Sequence, residues 1–462
     1  KQTVIMNILI LGAGQVGGNL AEQLASEANN ITVVDTDYER LRELGERLDI
    51  RTVAGHASYP AVLRQAGADD MDLLVAVTNS DEINMIACQV AHTLFRTPTK
   101  IARVRATQYL LRQDLFGTDA LPIDVCISPE QVVTHHIKRL VENPGTLQVL
   151  DFAEGKAQLV CVRARHGGML VGHQLRELRN HLPNDDVRVA AIFRRDHPLT
   201  LTGNTVIEVD DEVFFVAARH RIRAMMSELQ RLEAGYRKVV IAGGGQVGER
   251  LAEALESRCQ IKIIELNPAR CRHLSDHLDS SVVLQGSVSD RELLLEENID
   301  QADLFIAVTN DDDANIMSSL LAKRIGVRKV MAIINNPAYV DLMQGGAIDI
   351  AISPQLATLS VLLAHVRKGD VVSVHSLRRG AAEAIEAIAH GDEKTSKVVG
   401  RRIRDIRLPP GAAIGAIIRD EEVIMVEKDT KILSGDHILL FVVDKKHIPA
   451  VERLFQVGLS FF

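Results

Sequence analysis

One short pattern occurs twice in this chain and limits its fold more than any other feature. Asn7–Gly17 reads NILILGAGQVG, and Lys238–Gly248 reads KVVIAGGGQVG. Each is an aliphatic run, the signature of a buried strand, that empties into spaced glycines and then a helix. Gly12 and Gly243 permit the tight turn. Gly14 and Gly245 let a pyrophosphate approach the backbone, and Gly17 and Gly248 let helix and strand pack closely. The N–H groups near Gln15 and Val16, and near Gln246 and Val247, face that anion from the positive end of a helix dipole. A turn of this kind calls for an acid about 20 residues further on, to accept from a ribose diol. Asp35 closes the strand Ile31–Val34, and Glu265 holds the same place in the second copy. Thr36 and Asp37 follow directly, and Asp37 competes with Asp35 for the diol. A carboxylate there repels a 2′-phosphate, which favours NAD or an unphosphorylated adenosine over NADP. The plainer readings are a helix-packing turn without a ligand and a solvated acid at a strand end.

The repeat extends well beyond the glycines. Gln15-Val16-Gly17 recurs at 246–248, a spacing of 231. Gly55-x-x-Ser58 returns as Gly286-x-x-Ser289, and Ala76–Asn79 returns at 307–310, both at the same spacing. Ile127–Pro129 recurs at 352–354, Leu170–His173 aligns with Val398–Arg401, and the strand after Asp211 with the one after Asp436. A period this long is a tandem duplication of a two-part unit, not a solenoid.

Within residues 6–130 apolar strands (Ile8–Leu11, Ile31–Val34, Thr52–Ala54, Leu73–Val77, Lys100–Val104, Val125–Ile127) alternate with amphipathic helices (Gln15–Ala28, Tyr38–Leu48, Pro60–Ala66, Glu82–Leu94). That alternation predicts a parallel sheet covered on both faces. A helix after Ser128 stops at Asn143-Pro144-Gly145, read as a linker. Residues 146–230 change to short strands (Leu159–Arg163, Val187–Phe193, Val213–Ala217) between turns. The expected fold class is α/β: two Rossmann-like parallel-sheet domains, 6–130 and 237–355, each followed by a small α+β module, 146–230 and 371–462.

Composition removes several alternatives. Net charge is −8, aromatics make up 3% and Trp is absent. Without a basic stripe or stacking rings, nucleic acid is not an expected partner. The longest apolar runs, such as Ile438–Val443, are strand-sized, far from the ~18 residues of a membrane span. Five cysteines without metal-type spacing read as reduced thiols in a cytoplasmic protein. His135 and His136 are adjacent and point to different sides of a helix, so no metal site is expected. Lys1–Ile5 fit no pattern, which places the expected natural start at Met6.

Further candidates lie on loops at the carboxyl ends of the strands. Thr78, Asn79 and Asp81, with Thr309, Asn310 and Asp312, either contact a ribose or phosphate or cap the helices that follow. Gly55, His56, Ala57 and Ser58, with Gly286 and Ser287 in the second copy, either lie beside an adenine or form a tight turn. Arg103 and Arg105 are suited to phosphate, or else to a surface salt bridge. The second copy has Ile333 and Asn335 at those places, so the two sites should differ. No arrangement for nucleophilic or acid–base catalysis stands out.

The motifs LGAGQVG (11–17), VVDTD (33–37), AVTNSDEINM (76–85) and ISPE (127–130) resemble those of the regulator-of-potassium-conductance (RCK, also KTN) domains, as do AGGGQVG (242–248), IIELN (263–267), AVTNDDDANI (307–316) and ISPQ (352–355). The resemblance covers nearly all of Met6–Phe462. It implies RCK N- and C-subdomains in tandem and a non-enzymatic protein that binds NAD(H) and the adenine nucleotides ATP and ADP. It further implies a cytoplasmic ring, a homotetramer, peripheral at the inner face of the membrane beneath a Trk-type potassium pore subunit. The helices after Ser128 and Ser353 would be its hinges. The alternative is an NAD-dependent oxidoreductase.

Overall fold

The computed structural model describes residues 6–25, 29–117, 120–182, 187–195, 197–343, 346, 348–366, 371–377, 382–420, 422–443 and 445–456. Residues 1–5, which precede the expected start at Met6, and the end of the first helix, residues 26–28, lie outside them. Two compact units divide the chain: residues 1–132 with 355–366, and residues 133–354 with 367–462.

The first unit is built on β1 (Asn7–Leu11), α1 (Gln15–Ala25), β2 (Asn30–Asp35), α2 (Tyr38–Arg47), β3 (Arg51–Ala54), α3 (Pro60–Gln65), β4 (Leu73–Ala76), α4 (Asp81–Val90), β5 (Thr99–Arg103), α5 (Thr107–Leu110) and β6 (Val125–Ile127), with the start of α6 (Pro129–Glu142). The strands form one parallel sheet in the order β3-β2-β1-β4-β5-β6. The order reverses between β1 and β4, and in an open sheet that crevice, at the carboxyl ends, is where ligands bind. Ile8–Leu11 and Leu73–Ala76 are almost fully buried, as strands covered on both faces must be. Leu9, Leu11, Val34, Leu74, Ala76, Met85 and Ala102 share one core.

In the second unit β7 (Thr146–Phe152), β8 (Ala157–Arg163), α7 (Leu178–His181), β9 (Val187–Arg194), β10 (His197–Pro198), β11 (Glu212–Ala218) and α8 (Ile222–Leu229) make the first small module. Its antiparallel sheet runs β10-β9-β11-β8-β7. Two expectations change here. The module has five strands where the sequence pattern showed three, because the polar Gln148 and Asp151 interrupt the alternation of β7. Those side chains are matched: Gln148 Nε2 donates to the Ser376 carbonyl at 3.1 Å, and Gln158 Nε2 donates to Asp151 at 2.7 Å. The stretch Asn143–Gly145 is a tight turn and not a linker. Gly145 has φ +88°, and its carbonyl accepts from Gln230 Nε2 at 2.9 Å.

The parallel pattern then returns: β12 (Lys238–Ala242), α9 (Gln246–Leu255), β13 (Gln260–Glu265), α10 (Pro268–His277), β14 (Val282–Gln285), α11 (Arg291–Glu296), β15 (Leu304–Ala307), α12 (Asp312–Ile325), β16 (Lys329–Ile333), α13 (Pro337–Met343), β17 (Ile350–Ile352) and α14 (Pro354–Val366). Its order, β14-β13-β12-β15-β16-β17, repeats the first sheet strand for strand. A second small module follows: β18 (Val371–Leu377), β19 (Ala382–Ile388), β20 (Ala412–Arg419), β21 (Glu422–Met425), β22 (His437–Val442) and α15 (Ile448–Phe455). The antiparallel sheets of the two modules share one core, in which Phe152, Leu159, Phe193 and Phe214 meet Leu377, Ala384, Ile418 and Phe441. The duplication also shows in a buried ion pair. Arg194 Nε donates to Asp211 at 2.8 Å, and Arg419 Nε donates to Asp436 at 2.8 Å, with both carboxylates 1% exposed. The predicted α/β class, with two Rossmann-like sheets each followed by a small module, is the observed one.

Candidate functional site

Each glycine turn is fixed by contacts that only glycine tolerates. Gly12 and Gly243 have φ of +109° and +114°, a region costly for a residue with a Cβ. A Cβ on Gly17 would lie 1.9 Å from the Gly12 carbonyl oxygen, and one on Gly248 equally 1.9 Å from that of Gly243. Helix and strand therefore touch backbone to backbone. Gly14 and Gly245 differ: a Cβ on either would meet no protein atom within 4 Å. Packing does not require a glycine at these two positions. They leave a cradle open where the first-turn N–H groups of Gln15, Val16 and Gly17, and of Gln246, Val247 and Gly248, have no intrahelical acceptor. That arrangement suits a diphosphate.

The strand-end acids grip the same turns. Asp35 Oδ2 accepts from the Ala13 N–H at 2.5 Å, and Oδ1 accepts from the Asp37 N–H at 2.8 Å. Glu265 repeats this with Gly244 and Asn267, both at 2.8 Å. They are not solvated, unattached acids: they sit against the backbone beside the cradle. Asp37 is engaged elsewhere. It caps α2, accepting from Glu39 and Arg40 at 3.1 and 3.2 Å, as Asn267 caps α10. Thr36 lies between the two acids at the end of β2.

The loop after β4 corrects the capping alternative. The caps are Ser80, accepting from the Ile83 N–H at 3.3 Å, and Asp311, accepting from the Ala314 N–H at 2.8 Å. Thr78 is instead tied to Asn84, which sequence reasoning missed. Asn84 Oδ1 accepts from the Thr78 N–H at 2.9 Å and its hydroxyl at 2.7 Å, while Nδ2 donates to the Arg103 carbonyl at 2.9 Å. Asn315 does the same for Thr309 and Ile333, and both asparagines are fully buried. The signal was present, since both positions lie in the repeated motif at the common spacing of 231. Asn79 and Asn310 are exposed beside the crevice. Asp81 is not a cap either: it accepts from the Arg105 and Ala106 N–H groups, both at 2.8 Å, and pairs with the Arg105 guanidinium at 3.4 Å. Asp312 holds Asn335 and Asn336 in the same way. Arg105 is thus half of a partly buried structural pair.

Arg103 is the other candidate cation of the first half. Its Nε is buried without a hydrogen-bond partner among the described residues. Burial pushes its guanidinium down from the ordinary value, with the Glu130 carboxylate opposing this. The second half has the apolar, buried Ile333 at this place. Its cation stands elsewhere: Arg270 Nε donates to the Gly244 carbonyl at 2.6 Å, and Nη2 to Glu249 at 2.5 Å, while His273 Nε2 lies 2.7 Å from the other Glu249 oxygen. Burial works to raise the Glu249 pKa, but the bonds from Arg270 and His273 bring it below the usual carboxylate value. In the first half Gly18 replaces Glu249, and Arg40 pairs with Asp37 at 3.2 Å.

At the β3 end the tight-turn reading is present. Tyr59 N–H donates to the His56 carbonyl at 3.0 Å, and His56 Nδ1 lies 3.1 Å from Ser58 Oγ. Ala57 is buried, and the His56 and Tyr59 rings stack at 4.4 Å with Tyr59 exposed, a surface that the sequence pattern did not reveal. In the second half the exposed Ser287 Oγ accepts from the Ser289 N–H at 3.3 Å. Among the described residues no three His, Cys, Asp or Glu side chains form a group able to hold a metal ion, and no helix is long and apolar enough to cross a membrane.

Comparison with known proteins agrees with this duplicated architecture. The TrkA-N domain family matches residues 8–129 and 239–354, and the TrkA-C domain family matches 159–230 and 393–456. The Trk system potassium uptake protein TrkA of Halomonas elongata is 66% identical over 457 residues, covering 99% of this chain and 100% of its own. Its namesake from Vibrio alginolyticus is 58% identical, over 98% and 99%. Among solved structures, the GsuK RCK domain superposes with a TM-score of 0.59 at 18% identity, covering 98% of this chain and 96% of its own. The GsuK channel bound to NAD gives 0.60 at 18%, over 98% and 80%. At that identity the likeness establishes the fold, which is that of tandem RCK domains. Two copies of each matched domain, full-length coverage and high identity lead to one conclusion: the chain belongs to the TrkA family of Trk potassium-uptake proteins.

Proposed function

We propose that this protein is a cytoplasmic regulatory subunit that binds NAD(H) and adenine nucleotides at its two glycine turns and gates a membrane Trk-type potassium pore by changing shape. The observation that carries the reading is the pair of open cradles at Gly14 and Gly245, where packing alone would accept a larger residue. An acid poised for a ribose diol stands beside each, at Asp35 and Glu265. In this reading of the first cradle, Gly12, Gly14, Gln15, Val16 and Gly17 hold the diphosphate and Asp35, with Thr36 and Asp37 behind it, holds the ribose. Ala57 and Ser58 lie toward the adenine, and Thr78, Asn79 and Arg103 at the far side. The second uses Gly243, Gly245, Gln246, Val247, Gly248, Glu265, Ser287, Thr309 and Asn310. NAD(H) fits these residues, and the unequal cations Arg103 and Arg270 support unequal use of the sites by NAD(H) and by ATP or ADP.

The subunit works as a homotetrameric ring at the inner face of the membrane. A ligand gates it only through different affinity for two ring shapes. The relatives named above are potassium-uptake proteins, and no observation favours the oxidoreductase alternative. Calorimetric titration of the full chain with NADH and with ADP, together with co-purification with a Trk-type pore subunit, tests the proposal. Saturable binding and a stable complex are expected. Neither nucleotide bound and no complex formed would overturn it.

A further inference from the structure

The first glycine turn is held by a residue that follows it by more than three hundred positions. Gln355, the second residue of α14, is 5% exposed. Its Nε2 donates to Gln15 Oε1 at 2.7 Å, and its Oε1 accepts from Asn19 Nδ2 at 2.6 Å. Gln15 and Asn19 lie four residues apart and so share one face of α1. One buried amide therefore spans the first turn of the helix whose free N–H groups face the cradle.

α14 belongs in sequence to the second half. It begins two residues after β17 ends, and residues 355–366 pack in the first compact unit. α6 is the matching helix of the first half. That helix meets the second half through Glu142, which pairs with Arg258 at 3.0 Å. The residue aligned with Gln355 is Glu130, whose carboxylate accepts from Ser128 at 3.5 Å and faces the Arg103 charge.

We infer that Gln355 is a positioning residue for the first nucleotide site and couples occupancy of that site to α14. The inference rests on the nucleotide reading given above. A diphosphate on the Gln15 and Val16 N–H groups fixes the backbone of the first turn of α1. The Gln15 side chain leaves that same backbone, so its bond to Gln355 is fixed with it. Linkage makes the effect reciprocal: whatever holds α14 on α1 favours ligand at the first site.

Hydrogen–deuterium exchange of the full chain, read by mass spectrometry, tests this in two arms. Without nucleotide, Q355L should speed exchange of the amides at 18–20, which bond back to the first turn, by about 5-fold, the scale of a lost net hydrogen bond or two. Q355A, which removes the same amide and leaves a smaller side chain, should do the same. With saturating NADH, wild type should show slowed exchange at 12–19 and at 356–362. In both variants the slowing at 12–19 should persist and that at 356–362 should vanish. Slowing at 356–362 that survives in both variants would overturn the coupling, as would unchanged ligand-free exchange at 18–20. Wild type that binds NADH without slowing at 356–362 overturns the relay alone. Wild type that takes up no NADH in calorimetry overturns the nucleotide reading and the relay with it.

Discussion

Replacing Asn84 by alanine probes how the first site is held open. The Asn84 side chain makes three bonds to Thr78, accepting from its N–H and hydroxyl and donating to its carbonyl, and one to the Arg103 carbonyl, all within 2.7–3.3 Å. It thereby fastens the loop after β4, on the far side of the switch point from β2, to the end of β5. Truncation removes these bonds and leaves the Thr78 N–H and the Arg103 carbonyl without their partner. A net hydrogen bond contributes about 1 kcal/mol, and an orphaned buried group costs about 1–3 kcal/mol. The expected loss is about 2–4 kcal/mol, local to the first parallel sheet. In N84A, hydrogen exchange in residues 73–79 and 99–105 should quicken by at least about 10-fold, since 1.4 kcal/mol corresponds to a factor of ten. NADH affinity at the first site should fall with it. N315A should produce the same pattern around Thr309 and Ile333 and leave the first sheet alone, because Asn315 makes the twin set of bonds. An N84A chain whose exchange and NADH titration match wild type would refute the fastening role.

Other positions give sharper contrasts. G17A should unfold the first parallel sheet, since its Cβ would fall 1.9 Å from the Gly12 oxygen, whereas G14A should melt like wild type and lose NADH at the first site; equal melting of the two variants counts against the division of roles. D35A should weaken NADH binding to the first half, and unchanged calorimetric affinity would reject Asp35 as the ribose acid. R103Q should lower first-site affinity for a diphosphate more than for adenosine, and an equal effect on both would remove Arg103 from the phosphate. Acid sensitivity is expected from His136 and His375, which burial, with the Arg139 guanidinium nearby, brings down to about 4. Their folded values lie below the unfolded one, so the unfolded chain takes up protons first as pH falls. Stability is whole above about pH 6.5 and is lost on the way toward pH 4, at about 1.4 kcal/mol per unit for each histidine. Melting should fall between pH 7.5 and pH 5 and fall less steeply in H375N; a flat profile would refute the assignment.

Much of this architecture was legible because it rests on short, local rules. The glycines at 12, 14 and 17 read directly as turn, open approach and close packing, and their repetition disclosed the duplication. The parallel sheets followed from continuous apolar runs between amphipathic helices. Features that depend on distant partners were not legible. β7 was obscured because Gln148 and Asp151 look out of place in a strand until their partners, Ser376 in the second module and Gln158 on the neighbouring strand, are known. Asp81 and Asp312 read as either ligand contacts or caps, because Asp often caps helices, yet they turn to the loop after β5 and leave capping to Ser80 and Asp311. Gln355 carries no local signal at all: a glutamine near a helix start becomes informative only when Gln15 and Asn19 are found beside it.

The most direct test is potassium flux through a Trk-type pore reconstituted with this chain, measured with NADH, NAD, ATP, ADP or no nucleotide. Flux should change between nucleotides, and G14A should abolish the part of the response that depends on the first site while the complex still forms. Flux that is the same under all five conditions, with the complex intact, would contradict nucleotide-controlled gating.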